Sequence, residues 1–183
     1  MHRQALLTLL RQHQPIDTNE QEMTETTIAF VEQHPDCFDR ILLTGHVTGS
    51  AWVVSPDRQQ IVLIHHRKLD RWFQPGGHAD GDPDVARVAL KEAEEETGLT
   101  DLKLVRSTGE QAPIFDVDVH TIPARKEVPE HRHYDIRFMV EADPKKAFVQ
   151  NEETQDIQWV SLKKVNEYTQ EESIVRMIKK MSR

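Results

Sequence analysis

The sequence predicts an α/β fold, an α/β/α sandwich carrying an N-terminal helical extension. Three observations lead there. Helical patterns open and close the chain, β-rich segments fill the stretch between, and one further helix interrupts those segments. At 183 residues, with 37% hydrophobic residues, the chain suits one soluble domain with a full core.

Residues 2 to 13 read as an amphipathic helix whose apolar stripe is Ala5, Leu6, Leu9 and Leu10. A second helix is expected over 18 to 34, capped by Asp17 or Thr18 and stopped at Pro35 and Asp36. We expect residues 1–40 to form an extension packed on a domain spanning 41–183. From residue 41 the texture changes. ILLTGHVTGSAWVVS and QIVLIHH read as strands, the latter leading through RKLDRW to a Pro-Gly-Gly turn. A helix follows the turn, with Pro83 as its first residue, Asp82 as its N-cap and Gly98 at its end. LKLVRS, PIFDVDVHTI, HYDIRFMVEA and DIQWVSL are further strands, and a last helix is expected near 170 to 181.

The central helix carries the chemistry. At 100° per residue, Glu95 and Glu96 lie about 60° to one side and about 40° to the other of Glu92, so three carboxylates share one face. Such a face repels itself unless a cation sits on it, and oxygen-rich sites select hard cations such as Mg²⁺ and Mn²⁺. Glu94 projects about 200° from Glu92 and reads as an ordinary surface residue. Ala86, Ala89, Leu90 and Ala93 form the helix's apolar stripe. One face packs and another binds.

Turn and helix together resemble the Nudix box, which runs from a glycine through Glu to Arg-Glu-aliphatic-x-Glu-Glu-x-Gly-aliphatic. The match spans residues 77–99, with Gly77, Glu92, Glu95, Glu96, Gly98 and Leu99 in register. Lys91 stands where the family has Arg, Ala93 where it has a larger aliphatic, and Pro83 where it has its first Glu. Lys91 keeps a positive charge but lacks the forked guanidinium. Asp82 or Asp84 is the nearest replacement for the missing carboxylate. The resemblance implies a Nudix-type sandwich with a mixed β-sheet. It also implies that Glu92, Glu95 and Glu96 bind Mg²⁺ or Mn²⁺, with the Gly76 carbonyl as a further ligand and one glutamate deprotonating the attacking water. The activity implied is hydrolysis of a diphosphate linkage in a nucleoside diphosphate joined to another group, a reaction on acid anhydrides. The alternative from another class is a Nudix-like sensor that binds a nucleotide sugar without cleaving it. A diphosphate isomerase shares the fold, but the single Cys37, far from the box, offers it no support.

A second cluster lies on the strand pair after the box. Asp116, Asp118 and His120 alternate with Phe115, Val117 and Val119, and His131, His133, Asp135 and Arg137 alternate with Tyr134, Ile136 and Phe138. A hairpin around TIPARKEVPE brings these polar faces together. One register pairs His120 with His131, Asp118 with His133 and Asp116 with Asp135. Two readings compete: a solvated sheet face with Asp-His pairs, or a substrate-binding wall, base or imidazole metal site. We expect His120, His133 and Asp135 to contact substrate, together with Lys91, with His78 after the turn, and with Trp72 as the residue that stacks a base. His65 and His66 end a strand, with functional and ordinary readings evenly matched. Arg67, Lys68, Arg71, Arg125 and Lys126 are basic residues within reach of phosphate oxygens, though solvation is the commoner fate of any one of them. Trp52 and Trp159 read as core or rim residues.

Composition bounds the partners. A net charge of −8 argues against general affinity for nucleic acid or anionic membrane. With one cysteine no internal disulfide forms, the N-terminal apolar run lacks a small-residue cleavage site, and no segment approaches transmembrane length, so a cytoplasmic protein is expected. A small nucleotide is the expected partner, and a homodimer stays open.

Overall fold

The computed structural model describes residues 2–106, 111–125, 128–150 and 154–182. Helices α1 (Gln4–Gln12) and α2 (Thr18–Gln33) come first, then strands β1 (Gly45–Val54), β2 (Gln60–His66), β3 (Arg71–Phe73) and β4 (Gly76–His78). Helix α3 (Val85–Thr97) separates these from β5 (Lys103–Leu104), β6 (Ile114–Ile122), β7 (His131–Glu141) and β8 (Thr154–Ser161). A 3₁₀ segment, Leu162–Glu167, and helix α4 (Glu172–Met181) close the described chain.

The strands form one mixed sheet with the path β3-β2-β1-β7-β5; β4 pairs with β1, β6 with β7 and β8 with β2. β1 and β7 are parallel and the other pairs antiparallel. Side-chain alternation divides the apolar residues between two faces. Val47, Ala51, Val53, Val62, Ile64, Ile136 and Phe138 pack under α3, α2 and α1, whereas Trp52, Val54, Ile61 and Leu63 pack against Ile174 and Met177 of α4. The expected α/β/α layering is therefore present.

Local chemistry accounts for the element ends. Asp17 caps α2 by accepting from the Glu20 amide at 2.9 Å. Leu6, Leu7 and Leu10 of α1 are buried beside Phe30 and Val31 of α2, while Ala5 is exposed, so the stripe is rotated by one residue from the one expected. The first strand begins at Gly45 rather than 41, with Ile41 and Leu43 left exposed in the preceding turn. Helix α3 also starts later than predicted. Its N-cap is Asp84, whose carboxylate accepts from the Arg87 amide at 3.1 Å, and Pro83 lies just outside. Gly98 ends it in the left-handed conformation, φ 67°, which glycine adopts without steric cost.

The β6–β7 hairpin forms, in a register two residues from the one written above. His120 pairs with His133, Asp118 with Asp135 and Asp116 with Arg137, and Ile122 meets His131. A two-residue shift keeps every side chain on its face, so the polar cluster survives with different partners. Arg125 and Val128 form an isolated bridge in the connection; Lys126 lies outside the described residues.

Candidate active site

Gly76 and Gly77, expected as a turn, instead form the start of β4, and α3 packs beside them. They pair with Ser50 and Gly49 of β1, which fixes them in the sheet. A Cβ on Gly76 would overlap the Ser50 side chain and backbone, and one on Gly77 would overlap the Glu92 carboxylate. Gly76 thus needs glycine for close approach rather than for backbone angle, whereas a side chain at Gly77 would push the Glu92 carboxylate aside. The Gly76 amide donates to Glu96 Oε2 at 2.9 Å, tying strand to helix.

The three helix carboxylates stand in graded environments. Glu96 is buried, Glu92 partly buried and Glu95 exposed, with Glu95 at 3.4 Å from Lys91 one turn earlier. Burial, and next the neighbouring Glu95 charge, raise the Glu92 carboxyl above its ordinary value; Lys91 opposes this only partly, and Asp80 reinforces it. Arg40 opposes the rise as well, without reversing it. Glu94 is exposed on the other side, as expected.

Asp80 belongs to this neighbourhood and was not anticipated. It sits in the left-handed region, φ 49°, forms a forked ion pair with Arg40, and is close enough to Glu92 to act on its ionisation. The only available sequence signal was its place three residues after Gly77. Asp82 and Asp84, the carboxylates flanking Pro83, have partners within the fold. Asp82 pairs with Arg87 at 2.7 Å and Asp84 caps α3, about 12 Å along the helix axis from Glu92 at 1.5 Å per residue.

The strand face of Asp and His residues divides in two. Toward α4 it is a buried ion-pair network. Arg137 meets Asp135 at 2.7 Å, Asp116 at 3.2 Å and Asp118 at 3.3 Å, and Arg176 meets Asp116 at 2.8 Å and Asp118 at 3.0 Å. Lys180 joins Asp116 at 2.9 Å and also pairs with Glu20, which reaches round from α2. Asp135 accepts from Thr48 at 3.0 Å, Ser50 at 2.8 Å, Arg137 at 2.7 Å and Gln74 at 3.5 Å, so its acceptor capacity is spent inside the fold. Burial would raise the Asp118 and Glu20 carboxyls. Arg137, His120 and Arg176 outweigh it at Asp118, and His13 and Lys180 at Glu20, holding Asp118 far below its usual range and Glu20 at about 2. Sequence reasoning missed Arg176, Lys180 and Glu20, which come from helices distant in the chain.

At the other end of the same face the network gives way to imidazoles. His46, His78, His131 and His133 crowd together, with ring centroids of His46 at 5.0, 5.1 and 4.8 Å from the other three in that order. His120 stands at 5.5 Å from His133 and bonds Asp118 through Nδ1 at 3.0 Å.

Trp72 stacks on His65 at 4.9 Å and meets Tyr168 edge-on at 5.2 Å, so protein rings already occupy part of its surface. His65 pairs with Asp70, Arg71 with Glu171, and Arg67 reaches the Thr154 carbonyl, which directs these groups away from the glutamates. Cys37 is fully buried, and burial pushes its thiol up to about 11, an inert state. A cavity of about 480 Å³ lies at the seam of α1 and α3, lined by Leu6, Leu9, Val85 and Leu90 among others, and contains none of the three carboxylates.

The NUDIX domain model matches residues 45–181, and the chain belongs to that family. Comparison with curated proteins gave no significant match. Similar solved structures include an Ap4A hydrolase binary complex from C. elegans, at 14% identity and TM-score 0.57, covering 74% of this chain and 94% of that one. A NUDIX-family hydrolase from Clostridium perfringens aligns at 20% identity and TM-score 0.55, over 75% of this chain and 96% of its own. A MutT protein from Methanosarcina mazei Go1 aligns at 17% identity and TM-score 0.56, over 75% and 93%. At such identities these likenesses establish the fold. Among the described residues no helix is long and apolar enough to cross a membrane.

Proposed function

We propose that the chain is a metal-dependent hydrolase that cleaves a diphosphate linkage in a nucleoside diphosphate joined to another group. The observation that carries this reading is the meeting of Glu92 and Glu96 with Gly77 and Gly76, on a helix face shared with Glu95 where burial and the neighbouring Glu95 charge raise the Glu92 carboxyl. The donor set fits Mg²⁺ or Mn²⁺: carboxylate oxygens at graded exposure, with the Gly76 carbonyl beside them. When bound, such an ion polarises phosphate oxygens and lowers the pKa of water. The glutamates hold that charge in place, and one of them takes the proton of the attacking water. Lys91 neutralises Glu95 and orients it. His78, one residue past Gly77, faces the substrate's phosphates, with His120 and His133 along the adjoining wall. Asp135 serves by fixing Thr48, Ser50 and Gln74 beside β4. Trp72 offers its remaining edge to a base.

A sensor that binds a nucleotide without cleaving it is the second reading, favoured by Pro83 in place of the box's first glutamate. The NUDIX domain of Shewanella oneidensis NrtR, at 16% identity and TM-score 0.50, was solved with ADP ribose. One experiment separates the two. Nucleotide sugars, dinucleoside polyphosphates, nucleoside triphosphates and NADH are each offered with Mg²⁺ or Mn²⁺, and phosphate is read after a coupled phosphatase. A hydrolase releases product from at least one class, whereas a sensor shifts its melting temperature with ligand and releases none. A small nucleotide partner and a cytoplasmic site of action accompany this reading, and a homodimer is tested by sedimentation.

A further inference from the structure

We propose that His46, His131 and His133 form a second metal site, of imidazole type, that takes a zinc-class transition-metal ion distinct from the divalent ion of the glutamates. The backbone makes the cluster. Parallel pairing of β1 with β7 sets His46 opposite His133, and His131 lies two residues earlier on the same face. One ring nitrogen from each of the three lies within 4.8 Å of the others. Tetrahedral zinc, with Zn–N of about 2.0–2.1 Å, needs its ligand nitrogens about 3.3 Å apart, so closing on one ion asks each ring to move on the order of 1 Å. His78 from β4 stands over the same group, 5.0 Å from His46 and 5.1 Å from His133 between centroids.

A second observation points to a ligand rather than to ordinary packing. His46 is 3% exposed, yet neither of its ring nitrogens makes a hydrogen bond of acceptable geometry, and buried Nε2 of His133 makes none either. Buried polar atoms are nearly always paired, and leaving them unpaired is costly. One nitrogen of His46 and Nε2 of His133 are the donors that a cation would satisfy, while the other His46 nitrogen can turn to the Leu42 backbone. His131 has the complementary arrangement. Its Nδ1 donates to the Pro129 carbonyl at 2.9 Å, which leaves the Nε2 lone pair free and orients the ring, as backbone carbonyls do for metal-bound histidines.

The protonation states agree with this geometry. Burial, then the neighbouring imidazoles, depress His46 to about 4, with the Leu42 backbone opposing only weakly, and depress His133 to about 2. Both rings are therefore neutral at physiological pH, the state a metal requires. Donor type separates the two sites: imidazole suits zinc, copper and nickel, whereas carboxylate and carbonyl oxygen suit magnesium and manganese. The inference does not rest on hydrolysis and holds for a sensor equally.

The test is Zn²⁺ binding to chelator-stripped protein in excess Mg²⁺, read by calorimetry, with Co²⁺ absorption as the signature of nitrogen ligation. The wild type should bind one equivalent. His46→Gln and His131→Gln should each weaken binding by about 10-fold or more, and Glu96→Gln should leave it unchanged. His131 is only partly buried and begins a strand, so His131→Gln remains decisive should His46→Gln fail to fold. Absence of Zn²⁺ binding in the wild type, affinity unchanged in His131→Gln, or binding lost in Glu96→Gln would each overturn the proposal.

Discussion

Two acidic clusters sit close together in this molecule and are built in opposite ways. Asp116, Asp135 and Glu20 are buried and Asp118 partly so, and each meets a cation supplied by the fold, from Arg137, Arg176 or Lys180. Their ion pairs pull Asp118 and Glu20 well below the usual carboxylate range. Glu92, Glu95 and Glu96 share one short helix face with Lys91 as the nearest cation, and Glu92 moves the other way, above its usual range. The first cluster is paired throughout by buried cations, whereas in the second burial and a like charge dominate at Glu92. The imidazole cluster repeats the second pattern with a softer donor.

The largest effect that sharpens this contrast is on turnover. Glu95→Gln and Glu96→Gln should each lower it by about 100-fold or more, the upper end for groups that merely support a metal site. Glu94→Gln, on the opposite side of the helix, should match the wild type. Equal behaviour of all three would dissolve the distinction between the two helix faces.

In the compensated cluster the loss should be of stability. Arg137→Ala removes the cation facing three aspartates and should cost about 3–5 kcal/mol, the range for breaking a buried pair by removing one partner. Urea unfolding measures it. A cost near zero would mean that the aspartates need no internal partner.

Acid should then separate the clusters by sign. Glu20 and Asp118 have folded pKa values below their unfolded ones, so their contribution is complete above pH 4.5 and 3.8 respectively and is lost as pH falls, for Glu20 toward about 2. Urea midpoints should drop through that window, and Glu20→Gln should flatten the drop. Glu92 runs in reverse: its folded pKa is raised, so ionising it above pH 4.5 costs stability. The smallest effect follows from this. Metal-free Glu92→Gln should melt slightly higher than metal-free wild type at neutral pH, with the difference vanishing in acid, while its activity is lost.

The two clusters were not equally legible in the sequence. Helix periodicity and the spacing from Gly77 to Glu96 are local, so the glutamate face could be read directly, and α3 carries all three residues. The alternation of Asp116, Asp118 and His120 against His133, Asp135 and Arg137 was equally local, and it placed the right residues on one face. What alternation could not give was their partners. Arg176, Lys180 and Glu20 arrive from helices about 60 to 100 residues away, and only tertiary packing brings them to Asp116. The hairpin register missed by two residues because a shift of two preserves the pattern from which it was read. His46 escaped notice for a related reason: a lone histidine in an apolar strand carries no signal until parallel pairing sets it beside His133. The start of α3 slipped because Asp82 and Asp84 are both competent caps flanking Pro83, and only the Arg87 amide decides between them.

The central claim is that the face of Glu92, Glu95 and Glu96 holds a divalent cation for hydrolysis. Its most direct test is a Mn²⁺ titration of the wild type and of Glu96→Gln, with bound metal read by electron paramagnetic resonance and phosphate release from the best substrate of the panel read in the same samples. The account predicts that occupancy and rate rise together in the wild type and that both fall in Glu96→Gln, with the fold intact by circular dichroism. Product release independent of Mn²⁺ or Mg²⁺, or full occupancy and rate in the variant, would contradict it.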